Sequence, residues 1–221
     1  MSSAGIKYRY AIDADSSIVD VTELTPDDRG EYLCLGCDMT VIPVLGKVRR
    51  KHFRHQTIHE CSSETYLHKM GKLLFQKRYE QCLGNSIPYE IKYSVPVFCN
   101  HCQHGDCQRT PEIGSFDLTT VFKTIAPETK DGSFIPDLIL KSANSDKIYI
   151  EIAVTHKCSY QKRVSGERII EFTISSEEDL SVFNRTCLES FDGSIVSFLN
   201  FRPEAFKWQN SHRRSRFTLF N

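Results

Sequence analysis

The spacing of apolar residues changes along the chain, and each change marks a predicted element. Between residues 7 and 24 apolar and polar positions alternate in places, which predicts an early β-hairpin. From Ser62 the spacing lengthens to that of a helix. Its apolar positions are Leu67, Met70, Leu73 and Leu74. Ser62 or Ser63 can cap this helix, which is predicted to run to about Gln81, before a Gly-Asn pair stops it.

Strand-like apolar runs follow the helix and are separated by turn residues. They cover residues 87–98, 113–121, 133–140, 147–155 and 168–174. A short helix or loop at 157–166 connects the last two runs, and a further helix begins near residue 177. A helix, several antiparallel strands, a short crossover and a final strand, in that order, predict an α/β fold with one central sheet.

Composition sets limits without choosing a function. The chain has 221 residues, of which 40% are hydrophobic and 25% charged, so we expect one domain, or one domain with a small satellite. With 28 acidic and 28 basic residues the net charge is zero, which argues neither for nor against nucleic acid. Locally, however, residues 47–54 and 207–216 are basic.

The N-terminal sequence MSSAGIKYRY has no apolar run typical of a signal peptide, and no stretch reaches membrane-spanning length. We therefore expect a cytoplasmic protein with no membrane contact, in which thiols stay reduced. Nine cysteines are present, and clustered cysteines in that compartment indicate metal binding more often than disulfides.

The first Cys/His cluster lies before the predicted helix. It contains Cys34, Cys37, His52 and His55, with His59 and Cys61 close behind. A Cys-x2-Cys turn aims two thiolates at one ion and imidazoles complete a tetrahedron, so this set predicts a structural zinc site. The His-x2-His spacing is shorter than in a Cys2His2 finger, so His59 or Cys61 can replace one histidine. The alternative is a pair of reduced surface cysteines beside a basic loop.

The second cluster is a short insertion at 99–107. Its candidate ligands are Cys99, Cys102, Cys107, His101 and His104. Three thiols with one of the two imidazoles close a second structural zinc site. The alternative is a redox-inert or disulfide-forming loop.

Two acids stand among the apolar residues of a predicted hairpin. Asp137 follows Pro136 on one strand, and Glu151 lies on the next strand after a turn at 143–146. Antiparallel pairing can then set the two carboxylates side by side on one face. Such a pair is costly in apolar surroundings unless it is protonated or binds a cation, and oxygen ligands suit Mg2+ or Mn2+. The alternative is that each acid pairs with a nearby Lys or Arg.

This order of elements, with these acids, resembles the PD-(D/E)xK nuclease superfamily over residues 62–175. The N-terminal part resembles more narrowly the competence protein CoiA-like group, through the Cys-x2-Cys and His-Phe-x-His motifs and a helix of the form E-x3-H-x3-K, here Glu64, His68 and Lys72. Together the likeness covers residues 32–175. It implies a restriction-endonuclease-like αβββαβ core with a central mixed sheet, a small zinc-binding N-terminal lobe and a zinc-binding insertion. It also implies Mg2+- or Mn2+-dependent hydrolysis of DNA phosphodiesters, in DNA processing or defence against foreign DNA.

The resemblance also implies roles for individual residues. Asp137 and Glu151 match the two acids that hold the catalytic metal. His68 matches a helix histidine that adds a ligand in some branches, and Glu64 matches the helix acid. The motif lysine falls on Ala153, so it does not carry over.

A lysine from elsewhere is therefore expected to help the attacking water. Lys162 ranks first, because it follows the strand end on a predicted helix and its long stem can reach back. Lys157 is closer in sequence, and Lys72 lies one turn past His68 on the first helix. For each of them the alternative is a solvated surface lysine.

DNA binding requires a cationic surface, and several basic residues are candidates. The predicted contacts are Arg49, Arg50, Lys51, Arg54, Lys72, Arg163 and Arg168. Each basic patch alone is equally typical of a solvated face. The predicted units are a zinc-binding lobe at 1–61, a nuclease-like core at 62–175 and a C-terminal extension at 176–221. Expected partners are DNA, other subunits of a DNA-processing or defence system, and a second copy of the chain. The alternative function is a non-catalytic nucleic-acid-binding or adaptor module on a degenerate nuclease fold.

Overall fold

The structure is a computed structural model that describes residues 8–28, 30–46, 50–57, 61–95, 112–189 and 195–201. Several predicted sites lie outside the described residues: the whole second Cys/His cluster, Arg49, His59 and the basic tail at 207–216. The α/β class is confirmed.

The helices and strands are, in chain order, β1 (Tyr10–Ile12), β2 (Ile18–Asp20), β3 (Tyr32–Leu33), β4 (Thr40–Val44), β5 (His52–His55), α1 (Ser63–Gly84), β6 (Glu90–Val95), β7 (Glu112–Asp117), α2 (Leu118–Val121), β8 (Phe122–Pro127), β9 (Leu138–Ser142), β10 (Lys147–Ala153), α3 (Tyr160–Val164), β11 (Ile169–Thr173), a 3-10 helix (Glu178–Asn184), β12 (Cys187–Glu189) and β13 (Val196–Leu199). Among the described helices, none combines the length and the apolar character needed to cross a membrane.

The N-terminal lobe is an antiparallel sheet of five short strands in the order β2-β1-β3-β4-β5. The predicted hairpin is confirmed, since β1 and β2 pair with Ala11 opposite Val19. Buried aromatic side chains of this sheet, Tyr8 and Phe53 among them, belong to the same core as those of α1. The lobe therefore packs on the rest of the molecule without a break in the core.

Helix α1 begins where the sequence predicts. The Ser62 hydroxyl accepts a hydrogen bond from the Thr65 N–H at 3.1 Å, so it caps the first turn. The helix ends at Gly84, three residues beyond the predicted Gln81. Its buried residues include Met70 and Phe75, which face the central sheet.

The central sheet has five strands in the order β13-β11-β10-β9-β8. Strands β8, β9 and β10 are antiparallel neighbours, whereas β10 and β11 run parallel and are joined through α3. The sheet is therefore mixed, and β6, β7 and α2 lie between α1 and its first strand β8 in chain order.

Two predictions about this region are wrong. The run 113–121 is not a strand of the central sheet: it forms β7 and α2, and β7 pairs with β6 in a separate three-stranded sheet. The cause is Asp117, whose Oδ1 accepts the Thr119 N–H at 2.9 Å and the Tyr89 N–H at 3.1 Å, which turns the chain into α2. The strand beside β9 is instead β8, and the described residues form three sheets rather than one.

Candidate functional site

Four metal-binding side chains converge at the junction between the N-terminal lobe and α1. The ligand atoms of Cys34, Cys37, His55 and Cys61 all lie within 4.8 Å of one another. Cys34 and Cys37 sit on the turn after β3, His55 ends β5, and Cys61 comes just before the helix cap. The turn and the helix start approach closely here: a Cβ on Gly36 would lie 3.2 Å from the Cys61 sulfur. Within the described parts of the chain, no other His, Cys, Asp and Glu side chains bring three or more ligand atoms together in this way.

The structure corrects His52, which is not part of this group. Residues 52–55 form a strand, so neighbouring side chains alternate between its two faces. His55 shares a face with the buried Phe53, whereas His52 points to the other side, where its Nδ1 lies 3.0 Å from the Arg50 carbonyl oxygen. Cys61 completes the set, as one of the alternatives that the spacing left open.

Burial favours the protonated thiols of Cys34 and Cys61 when no cation is near. Burial raises the pKa of Cys34 to about 12, against the backbone N–H groups of Cys37 and Gly36, which favour the thiolate. It also raises the pKa of Cys61. A bound cation is what makes deprotonated thiolates favourable in such a place, and a closed set of three thiolates and one imidazole suits zinc. The Cys3His group can therefore hold a structural zinc ion.

The second candidate site is an open cleft at the end of the central sheet, with a volume of about 240 Å³. Asp137 and Glu151 face it, and the strand register brings them together. Ile150 pairs with Leu138 at the end of the β9–β10 ladder, and Glu151 and Asp137 are the chain neighbours of that last pair. His68 from α1 and Lys162 from α3 reach the same cleft from two sides.

Asp137 is held by two hydrogen bonds. Its Oδ1 lies 3.0 Å from His68 Nε2, and its Oδ2 accepts the Ile152 N–H at 2.8 Å. Burial alone would raise the pKa of Asp137, but the hydrogen bonds from His68 and Ile152 outweigh burial and lower it. This carboxylate therefore stays ionised.

Glu151 is 8% exposed, and its pKa shifts in the opposite direction to that of Asp137. Its Oε1 accepts a hydrogen bond from Lys162 Nζ at 2.7 Å, and the same amine donates to the Ile135 carbonyl at 3.0 Å. Burial nevertheless raises the pKa of Glu151 to about 7, because the lysine only partly offsets it and the Asp137 and Glu171 carboxylates add to it. The Glu151 carboxyl therefore changes its charge near neutral pH.

The three carboxylate and imidazole ligands of the cleft do not converge as the Cys3His group does. Among the described residues each acid has its own partner, His68 for Asp137 and Lys162 for Glu151. Two ionised carboxylates repel each other, so a separate hydrogen-bonding partner for each acid is the expected arrangement when no metal lies between them.

The other predicted cleft residues differ in placement. Ala153, at the motif lysine position, is buried at 4% exposure on β10. Lys157 is exposed and lines the cleft. Lys72 instead pairs with Glu128. Glu64 accepts a hydrogen bond from the Thr155 hydroxyl, just beyond the end of β10.

Sequence reasoning missed Glu171, which is fully buried. It lies on β11 directly opposite Glu151 in the parallel register. The available signal was an acid in the apolar run Ile-Ile-Glu-Phe, the same pattern that surrounds Glu151.

The predicted DNA contacts do not form one surface in the described residues. Arg163 pairs with Glu171 and Arg168 with Asp146. The remaining ones lie on the N-terminal lobe side: Arg50 pairs with Glu178, Lys51 donates to the Thr22 and Leu24 carbonyls, and Arg54 is exposed. Most of these side chains are thus engaged within the molecule.

Comparison with known proteins bears on the N-terminal lobe. Residues 17–64 match the family model described as competence protein CoiA, N-terminal domain. Over this segment the chain is CoiA-like. No curated protein and no solved structure matches the chain.

The CoiA-like segment contains one of the two candidate sites. All four members of the Cys3His group fall between residues 17 and 64, and so does Glu64. Asp137, Glu151 and Lys162 lie beyond it. The family match therefore applies to the candidate zinc site and leaves the cleft to be argued from its own geometry.

Proposed function

We propose that this protein is a metal-dependent deoxyribonuclease that hydrolyses DNA phosphodiester bonds at the cleft. The observation that carries the proposal is the meeting of Asp137, Glu151 and Lys162. Asp137, just before β9, and Glu151 on β10 both line the cleft, and a lysine amine lies 2.7 Å from Glu151. The amine comes from α3 and thereby supplies the cation that Ala153 lacks.

The residues of the cleft fit a divalent cation. Carboxylate oxygens of Asp137 and Glu151, with His68 beside them, are ligands that Mg2+ or Mn2+ accepts. Burial raises the pKa of Glu151 despite the lysine amine beside it, so further positive charge at this carboxyl would favour its ionised form. A divalent ion supplies that charge and, when bound, activates water and neutralises the phosphate.

The chain's own residues would prepare the site. The hydrogen bond from His68 orients the Asp137 carboxylate from one side, while the Ile152 N–H fixes its other oxygen. Lys162 is anchored by the Ile135 carbonyl, so its ammonium stays near Glu151, where it can orient a water and offset charge on a phosphate. Lys157, exposed at the rim, is placed to contact a DNA phosphate.

The Cys3His group serves a structural role in this proposal. A closed set of four protein ligands leaves no position for a reacting water. A zinc ion there would tie the turn after β3 to the start of α1, the helix that carries His68. We propose DNA processing or defence against foreign DNA as the setting, with DNA as the partner.

The test is divalent-dependent cleavage of plasmid and single-stranded DNA by the purified protein. We expect cleavage with Mg2+ or Mn2+, and its loss in Asp137→Ala and in Glu151→Ala. Glu80→Ala, on the exposed side of α1, is the matched control for loss of one carboxylate. Cleavage that survives both cleft substitutions would rule out this site.

One observation favours a second candidate function. The motif lysine is replaced by the buried Ala153, a change also expected in a fold that has lost catalysis. The protein would then be a zinc-containing nucleic-acid-binding or adaptor module. Salt-sensitive DNA binding without cleavage under Mg2+ or Mn2+ would support this function over the nuclease.

A further inference from the structure

Helix α3 lacks the apolar packing that usually holds a helix in place. It has five residues and no buried side chain, and its two large apolar side chains, Tyr160 and Val164, are 78% and 60% exposed. A single helical turn is not stable on its own in water. Its position on the sheet must therefore depend on polar contacts.

One buried carboxylate provides contacts at both ends of α3. Glu171 is 0% exposed, and its two oxygens have different partners. Its Oε2 accepts the Cys158 N–H at 2.6 Å, immediately before the helix cap Ser159. Its Oε1 accepts a hydrogen bond from Arg163 Nη2 at 2.9 Å, in the last turn. Charge-assisted bonds of this kind are stronger than neutral ones, and a buried carboxylate would be left without compensation if they broke.

The amine at Glu151 depends on that placement. Lys162 is the neighbour of Arg163 on α3. The Lys162 Nζ contacts Glu151 on β10, so this contact requires α3 to stay close to β10. Glu171 stands beside Glu151 in the parallel register, so α3 is fastened next to the carboxylate that its lysine contacts. Asn200 adds a second anchor, since its Nδ2 donates to the Arg163 and Glu167 carbonyls, but this anchor holds the C-terminal end alone.

We infer that Glu171 is a positioning residue, which fastens α3 to the sheet so that the Lys162 amine stays at Glu151. The geometric part of this inference concerns the folded protein itself, and its catalytic consequence rests on the proposed nuclease function. Glu171 has no contact with the cleft and takes no part in the reaction.

The experiment measures how readily Lys162 is acetylated by an N-hydroxysuccinimide ester, with peptide mass spectrometry as the readout. In the wild type Lys162, at 14% side-chain exposure, is expected to react more slowly than the exposed Lys157. The Glu171 contacts with the Cys158 N–H and with Arg163 together form a clasp. In Glu171→Gln the amide keeps an oxygen for one bond but turns an N–H group toward the Arg163 guanidinium, so the clasp opens. The Lys162 rate is then expected to rise about tenfold, the population ratio that one charge-assisted hydrogen bond represents. Glu167→Gln, an acid outside the clasp that pairs with Lys147, should leave the Lys162 rate unchanged.

Circular dichroism checks that each variant is folded. If Glu171→Gln does not fold, Arg163→Ala removes the other half of the clasp at a partly exposed side chain and should raise the Lys162 rate in the same direction. An unchanged Lys162 rate in a folded clasp variant would overturn the inference.

A parallel DNA cleavage assay separates this inference from the proposed function. With a nuclease, the clasp variants should lose kcat about tenfold with little change in KM, because the lysine acts on the reacting water. If the wild type cleaves no DNA while the Lys162 rate still rises, positioning holds and the proposed function fails. If the wild type cleaves and the Lys162 rate does not change, positioning alone fails.

Discussion

Replacing Glu151 by glutamine should stabilise the protein relative to the wild type, and this gain should grow as the pH rises. The folded protein raises the pKa of this carboxyl from 4.5 to about 7, chiefly through burial. At about 1.4 kcal/mol per pKa unit, this difference corresponds to about 3 kcal/mol. Because the folded pKa lies above the unfolded one, the contribution of Glu151 to stability is full below pH 4.5. It is lost progressively as the pH rises to 7.

Glutamine has no charge to bury, so the variant does not lose stability in this way as the pH rises. The free energy of unfolding of Glu151→Gln, minus that of the wild type, should rise by about 3 kcal/mol between pH 4.5 and 7 and stay level above. The slope is the prediction, since the difference between a neutral carboxyl and a neutral amide shifts the whole curve by a constant. The interaction of the Glu151 charge with Lys162 is already contained in the pKa. Urea unfolding from pH 5 to 8, in buffer without divalent ions, measures it, with Glu80→Gln as the control.

Added Mg2+ turns the same measurement into a test of the metal site. A cation that binds ionised Glu151 stabilises the wild type by about 1.4 kcal/mol at ten times its Kd, and the variant by less. A difference curve without slope would refute the reasoning from burial. An equal gain from Mg2+ in both proteins would refute Glu151 as a ligand.

Two further predictions concern the candidate zinc site and the helix contact. Cys61→Ser should lower the zinc content, measured by elemental mass spectrometry, whereas His52→Ala should keep the zinc bound at the Cys3His group. Loss of zinc in His52→Ala but not in Cys61→Ser would show that His52 is the ligand. Gly71→Ala should destabilise by about 1–3 kcal/mol in urea unfolding, because its Cβ would lie 2.9 Å from Ile152 Cγ2 in the packed core. Better helix propensity returns only about 1 kcal/mol, so a more stable variant would contradict this account of the contact.

The sequence predicts those features that depend on short-range pattern. Helix α1 and its Ser62 cap follow from spacing and cap chemistry, and the hairpin of β9 and β10 follows from its turn residues. The structure also places Lys162, ranked first for its helical position after the strand, beside Glu151. Its catalytic role stays a prediction.

The spacing of residues along the sequence could not predict features that depend on tertiary contacts. The choice of Cys61 over His52 requires knowing that residues 52–55 are a strand, because the same spacing on a turn would allow both histidines. Strand β8 was missed because Lys123 and Thr124 interrupt its apolar pattern and both are exposed. The acid in the apolar run around Glu171 did not reveal its partners, because Cys158 and Arg163 become its neighbours only through the crossover.

The shared core around Tyr66 limits how the gene can be truncated or recombined. The Tyr66 ring lies 4.3 Å from the Tyr8 ring, and its hydroxyl contacts both the Tyr10 backbone and Glu177. One side chain thereby links the first strand, the long helix and the segment after the central sheet. A gene fragment that ends at residue 61, or one that starts at residue 62, would leave large aromatic rings in water on both sides of the break. Recombination between the CoiA-like segment and unrelated C-terminal segments should therefore be rare, and the two should pass between genomes as one unit.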